Sequence, residues 1–172
     1  VDSRANRYFY VEDPVPVSVN GVSRAYTSKP LLHPSDPQRG HRTLVVEPIN
    51  NEARLIISKK DLASLKVDQV IRFMELFNVT VEKIAKDGVE ASFHSEPYDE
   101  ARKLNASLIH WLPEVDNLRV NVVMPTAEIS EGVGEQGLKR EAKDQIVQLT
   151  RFGFGRIDEV TEDLVKIYYA HN

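Results

Sequence analysis

Apolar and polar residues alternate one by one along most of this chain, in short runs closed off by turn-forming residues. A strand sends successive side chains to opposite faces, so such runs fit sheets buried on one side and do not fit helices. RYFYVEDPVPVSV (7–19) alternates around two prolines, TLVVEP (43–48) and ARLIIS (53–58) are short β-branched runs, and VIRFMELFNVTVEKI (70–84) is a long one. Lys86-Asp87-Gly88 is a turn signal that joins the long run to VEASF (89–93) and predicts a hairpin. SLIHWL (107–112), LRVNVVM (118–124), QIVQLTRF (145–152), GFGRIDE (153–159) and DLVKIYYAH (163–171) supply the remaining candidate strands. About ten short strands, spaced by roughly 8 to 15 residues, predict antiparallel barrels or sandwiches.

Helical signals are few. Ser58 is placed to cap SKKDLASL, Ser95 to cap SEPYDEARKLN, and GLKREAKD suits a turn or two. No internal repeat is visible. Residues 28–42, SKPLLHPSDPQRGHR, form the one long segment without a strand or helix pattern, and loops of that length are commonly functional or mobile.

With 172 residues, 41% of them hydrophobic, the chain can bury a real core as one large domain or two small ones. No apolar run approaches the ~18 residues a membrane span needs, and the N-terminus lacks the regions of a secretory signal. Cysteine is absent, which excludes disulfides, thiolate metal sites and cysteine nucleophiles. An intracellular, cytoplasmic location is the simple expectation. The start at Val1, without an initiator Met, leads us to expect a piece cut from a longer protein.

Net charge is −4, which argues against a general nucleic-acid binder. The sum hides an asymmetry: residues 1–86 hold 13 Lys and Arg against 10 acids, and residues 87–172 hold 9 against 16. Any polyanion must therefore be met by local basic positions.

Catalytic signatures are missing. There is no GxSxG, HExxH, P-loop or Rossmann glycine fingerprint, and GVGEQG (132–137) reads as an ordinary turn. His33 and His41 are the only histidines close in sequence, and a Pro-rich loop without a carboxylate cluster makes a poor metal site. We expect no catalytic residue, no metal and no cofactor in this chain.

Binding chemistry is better represented. Arg4, Arg7, Arg24, Lys29, Arg39 and Arg42 gather in the first 42 residues against four acids. Tyr8 and Tyr10 lie beside Arg7, and Phe152 and Phe154 beside Arg151 and Arg156. Such aromatics either stack on unpaired bases or fill barrel cores, and the core is the commoner fate. Gln148 and Arg151, three positions apart in QLTRF, would point to opposite faces of a flat strand. For the two to act together the strand must bend, and Gly153 and Gly155 lie where a bulge is tolerated.

ANRYFYVEDPVPVSV, HPSDPQRGHR, KKDL, VIRFMELFNVTVEKIAKDG, LIHWLP, QLTRFGFGRID and IYYAHN, in this order, resemble the C-terminal anticodon-binding region of class I glutamyl-tRNA synthetases. The likeness is to the archaeal and eukaryotic type, the branch that also gave rise to glutaminyl-tRNA synthetases. It covers nearly the whole chain.

The resemblance implies an all-β fold of two antiparallel β-barrels with a few short helices. A proximal barrel would use residues 1–66 and 138–172, and a distal barrel 67–137. It further implies that Arg7, Gln148 and Arg151 sit near the middle anticodon base. Uracil offers two carbonyls and one N–H, which suits an amide plus a guanidinium.

Lys83 falls where glutaminyl relatives carry an arginine facing the third anticodon base. Lysine cannot form a bidentate fork, so base preference there is open. The HPSDPQRGHR segment would either brace the barrel against the rest of the enzyme or touch tRNA phosphates through Arg39 and Arg42, and Arg156 is a further candidate backbone contact.

The expected role is recognition of tRNA(Glu), with tRNA(Gln) as the alternative. Aminoacylation with ATP and Mg2+ would belong to a catalytic domain of the same polypeptide absent here; Gly40-His41 and Ser58-Lys59-Lys60 are only fragments of the catalytic signatures. Other expectations are a glutaminyl-type binding domain, or a protein-interaction module in a multi-synthetase or transamidation assembly with the acidic second half as its docking face. No membrane partner is expected.

Overall fold

The computed structural model describes residues 3–172. Strands make up 51% of the chain, and the α-helices among the described residues are two of six residues each, so the fold is all-β as expected. In chain order the elements are β1 (Asn6–Tyr8), β2 (Tyr10–Glu12), β3 (Pro14–Asn20), β4 (Tyr26–Ser28), β5 (Leu44–Val46) and β6 (Glu52–Ser58). Helix α1 (Lys59–Ser64), β7 (Val70–Phe73), β8 (Asn78–Ala85), β9 (Gly88–Ser95), α2 (Tyr98–Lys103), β10 (Ser107–Ile109) and β11 (Leu112–Pro113) follow. The chain continues with β12 (Leu118–Val123), β13 (Ile129–Gly134), β14 (Ile146–Leu149), β15 (Gly153–Val160) and β16 (Leu164–His171).

Two seven-stranded sheets curl into barrel-like walls. The first barrel has the order β10-β7-β8-β9-β3-β6-β11, and the second β1-β14-β15-β16-β12-β13-β2. β4 and β5 form a separate two-stranded ribbon. Neither barrel is wholly antiparallel, contrary to expectation: β10 pairs with β7, β9 with β3, β1 with β14 and β16 with β12 in parallel. The parallel partners come from distant parts of the chain, which alternation cannot reveal.

Sheet membership also cuts the chain elsewhere than at residues 66 and 137. All first-barrel strands lie within 14–113, and the second barrel takes 6–12 together with 118–171.

Both sheets step through the same sequence of pairings: parallel, antiparallel, antiparallel, parallel, antiparallel, antiparallel. Each is a run of five strands completed by two short strands that, in chain order, precede the five of the other barrel. β10 and β11 complete the first barrel, and β1 and β2 the second. The likeness extends to hydrogen bonds. Asp68 and Asp144 have φ of 70° and 72° and donate their amides to Val81 and Ile157 at 2.8 and 2.7 Å. Glu75 and Arg151, in the turns after β7 and β14, have φ of 60° and 63°. The two barrels thus repeat one topology, with exchanged strand pairs. Its trace in sequence is DQVIRF (68–73) against DQIVQL (144–149), too short to stand out.

Local chemistry accounts for the remaining boundaries. The long run 70–84 breaks into β7 and β8 around left-handed Glu75, where Leu76 donates to the Phe73 carbonyl at 3.0 Å. Ser58 caps α1 as expected, accepting from Asp61 N at 3.1 Å. Ser95 does not cap α2; Pro97 stands at that N-cap, and Ser95 Oγ accepts from Asn78 instead. The loop 28–42 is pinned by a bridge between Leu31 and His41 and contains a 3-10 turn at Pro37–Arg39. GLKREAKD yields a 3-10 turn at Gln136–Arg140.

One core fills the first barrel around Phe73, Phe77 and Trp111, and Phe9 and Val11 from the exchanged segment join it. The other contains Tyr8, Tyr10, Val120, Val147, Ile157 and Ile167. No helix among the described residues is long and apolar enough to cross a membrane.

Candidate nucleic-acid interface

Strands β1 and β14 lie side by side in parallel, with Arg7 opposite Gln148 and Tyr8 opposite Leu149. Tyr8, Val147 and Leu149 point into the core, so alternation turns Arg7 and Gln148 outward on the same face. Next to Gln148 comes Phe154, and next to Phe154 comes His171. Phe154 is only 6% exposed yet belongs to neither core, because His171 stacks on it at 4.7 Å and 25°. The neighbouring row holds Ile146, Arg156 and Tyr168. Arg156 and Lys166 approach the Tyr168 ring at 5.5 and 5.4 Å from its centroid. The outer wall of β1, β14, β15 and β16 therefore interleaves cations, an amide and flat rings.

Arg7 Nε is buried without a hydrogen-bond partner among the described residues, and Asn6 Oδ1 is the other such side-chain atom. Arg156 is anchored by Asp144 at 2.6 Å with 41% of its side chain exposed.

Arg151 behaves differently. β14 stops at Leu149, and Arg151 occupies a left-handed position in the following turn; the register shift between Phe154 and Gly155 lies in the β15–β16 pairing. Its guanidinium crosses to the first barrel and forms a two-pronged ion pair with Asp61, at 2.8 and 2.9 Å, and a third bond to His110 Nδ1 at 2.8 Å. His110 Nε2 in turn meets the Tyr10 carbonyl at 2.8 Å. Burial pushes the Asp61 carboxyl up, but the hydrogen bonds and charge of Arg151, helped by His110 and the Ser58 hydroxyl, more than offset it and leave the group below its ordinary value. Burial, then the Arg151 charge, holds the imidazole below its ordinary value against the pull of Asp61.

The other expected contacts separate. Lys83 stands on the first barrel, opposite Glu90 in the β8–β9 hairpin, and borders a hollow of about 320 Å³ with Pro16, Ser18 and Arg54. It shares no sheet with Arg7 and Gln148. Arg39 is half-buried, donates to the Arg4 carbonyl at 2.5 Å and borders an open hollow with Arg4, Asp36 and Gln145.

Arg42 is buried and cannot meet a phosphate. It donates to both Glu135 oxygens at 3.2–3.3 Å and to the Leu31 carbonyl at 2.7 Å, above the Phe9 ring. Its partners lie within this chain, so it ties the 28–42 loop to the end of β13. Burial pushes the Glu135 carboxyl up against the opposing pull of Arg42 and the Phe9 amide.

Tyr8 and Tyr10 are core residues, with hydroxyls paired to Glu141 and Ser130. GVGEQG is no ordinary turn either: its first residues end β13, and Glu135 is the buried partner of Arg42. Asp61, His110 and Glu135 escaped sequence reasoning, since a charge destined for burial looks like any surface charge until its partner is known.

Two family models, both described as tRNA synthetases class I (E and Q), anti-codon binding domain, match residues 5–99 and 108–158. The chain belongs to this family. Glutamate–tRNA ligases are similar along its whole length. That of Pyrococcus furiosus is 40% identical, covering 99% of this chain and 29% of the relative. Those of Methanocaldococcus jannaschii and Methanopyrus kandleri are 36% and 32% identical, covering 99% and 100% of this chain and 29% and 30% of theirs. The chain spans less than a third of these relatives, and it carries their anticodon-binding part and not a catalytic domain. Each family match runs through strands of both barrels, as the exchanged pairs in this anticodon-binding domain require.

Proposed function

We propose that this anticodon-binding domain grips the anticodon loop of tRNA(Glu) on the outer wall of the second barrel, as part of a cytoplasmic glutamate–tRNA ligase. Activation of glutamate with ATP and Mg2+ then falls to a separate catalytic domain. The observation that carries the reading is the register that sets Arg7 beside Gln148, flanked by the Phe154–His171 stack. An unstacked base needs in-plane donors and acceptors plus a flat neighbour, and this wall offers both. Arg39 and Arg156 are placed to meet phosphates nearby, whereas Lys83 would touch RNA only where the loop reaches the first barrel.

The test is a titration of the chain with a glutamate tRNA transcript and with variants of its anticodon. With about four to six phosphate contacts, affinity should fall roughly a hundred- to a thousandfold between 50 and 200 mM salt. Arg7→Ala and Gln148→Ala should each cost about 1 to 3 kcal/mol of binding and blunt the preference for the central uridine. Binding that ignores the anticodon would refute the reading.

A further inference from the structure

The guanidinium of Arg151 is used on two of its three edges. Of its five N–H groups, one from Nη1 and one from Nη2 go to the Asp61 carboxylate, and the second on Nη1 goes to His110 Nδ1. The two that remain, on Nε and Nη2, are parallel and share one edge, the fork that suits paired or broad acceptors. No hydrogen bond engages that fork among the described residues, and 37% of the side chain is exposed.

What holds the fork is built into the first barrel. The Asp61 side chain is 9% exposed and its amide is bonded to Ser58 at the start of α1; the His110 side chain is 8% exposed and tied to the Tyr10 carbonyl. A long side chain that would otherwise sample many rotamers is thus clamped from across the barrel junction. The clamp also sets the kind of ligand. Asp61 already balances the Arg151 charge, so the fork offers directed donors with little net field, and an incoming phosphate would meet the carboxylate behind it. A neutral carbonyl suits it better.

We infer that Asp61 and His110 are positioning residues that hold the Nε–Nη2 fork of Arg151 for the carbonyl of an unstacked anticodon base, an assignment resting on the anticodon reading above. They touch no RNA themselves, and they act on base choice through Arg151.

The experiment measures affinity for a glutamate tRNA transcript and for the same transcript with its central anticodon base changed. The chain is compared with its Asp61→Asn, His110→Phe and His110→Gln variants. The ratio of the two affinities should drop about tenfold in Asp61→Asn and His110→Phe. His110→Gln keeps one donor and one acceptor and should restore most of the ratio. Should Asp61→Asn fail to fold, Asp61→Glu, which keeps the charge but displaces it, should show the same drop.

An unchanged ratio, or an equal loss on both transcripts as expected of a phosphate contact or a purely structural clasp, overturns the inference while leaving the anticodon reading intact. A wild-type chain that does not distinguish the transcripts sinks both.

Discussion

His110 can serve the clasp only as a neutral imidazole. Nε2 carries the proton that Tyr10 accepts, and Nδ1 offers its lone pair to Arg151. Burial and the Arg151 charge hold its folded-state pKa below the ordinary 6.5. As pH falls, the unfolded chain therefore binds this proton first. Stability should decline as pH drops through about 6.5 and level off only once folded His110 is protonated too. Asp61 acts with the same sign at lower pH, its contribution fading below about 3.8, while Glu135, shifted upward, favours folding at low pH and loses that contribution as pH rises past 4.5. Urea unfolding between pH 5 and 8 should show a slope of up to about 1.4 kcal/mol per pH unit that His110→Gln reduces by its share. Equal slopes in both proteins would remove the neutral-imidazole account. Arg7 and Gln148 were legible as a pair only through family likeness, and nothing local shows that β1 and β14 adjoin. The burial of Arg42 was not legible, because it depends on a carboxylate 93 residues away.

Where strands cross closely, glycine is required by a neighbour rather than by a turn. Gly132, in β13, faces β2 in antiparallel register, and a Cβ there would stand 2.2 Å from the Val11 carbonyl oxygen and 2.8 Å from Tyr10 Cε1. The first of these is backbone and cannot step aside, so Gly132→Ala should cost about 2 to 3 kcal/mol in chemical denaturation. Gly88→Ala, whose nearest atom is the Pro16 carbonyl oxygen at 3.3 Å, should cost clearly less. Similar losses at the two positions would mean that the β2–β13 contact is not tight. The same glycines explain why GVGEQG read as a turn: sequence registers the missing side chain, and a turn and a tight crossing both need it missing. Alternation placed nearly every strand because it records burial, residue by residue. It missed the break at Met74–Phe77, where apolar residues continue through a turn, and it is silent on partners, so the parallel pairs and the division between barrels were out of reach.

Exchange of strand pairs makes the two barrels one folding unit. Without residues 6–12 the second barrel lacks two of its seven strands, and without 107–113 the first lacks two of its own. Phe9 and Val11 also fill the first core while their segment completes the second sheet. The Arg151–Asp61 pair crosses the same junction, and breaking a buried ion pair such as Arg42–Glu135 by removing one partner generally costs several kcal/mol, about 3 to 5. Neither barrel can then open without stripping the other of strands and core. The chain has one tryptophan, Trp111, fully buried in the first core with its indole N–H on the Met74 carbonyl, so its fluorescence reports that barrel alone. Amide exchange at Val120, Ile157 and Ile167 reports the second core. Followed in urea, the two probes should give one midpoint and one transition. Tandem but independent barrels would give two. Because Arg7 comes from the first repeat and Gln148 from the second, the outer wall exists only while the exchange is in place, and tRNA binding should vanish over that same range of urea. Binding that persists after Trp111 becomes exposed would place the RNA contacts somewhere other than the β1–β14 register.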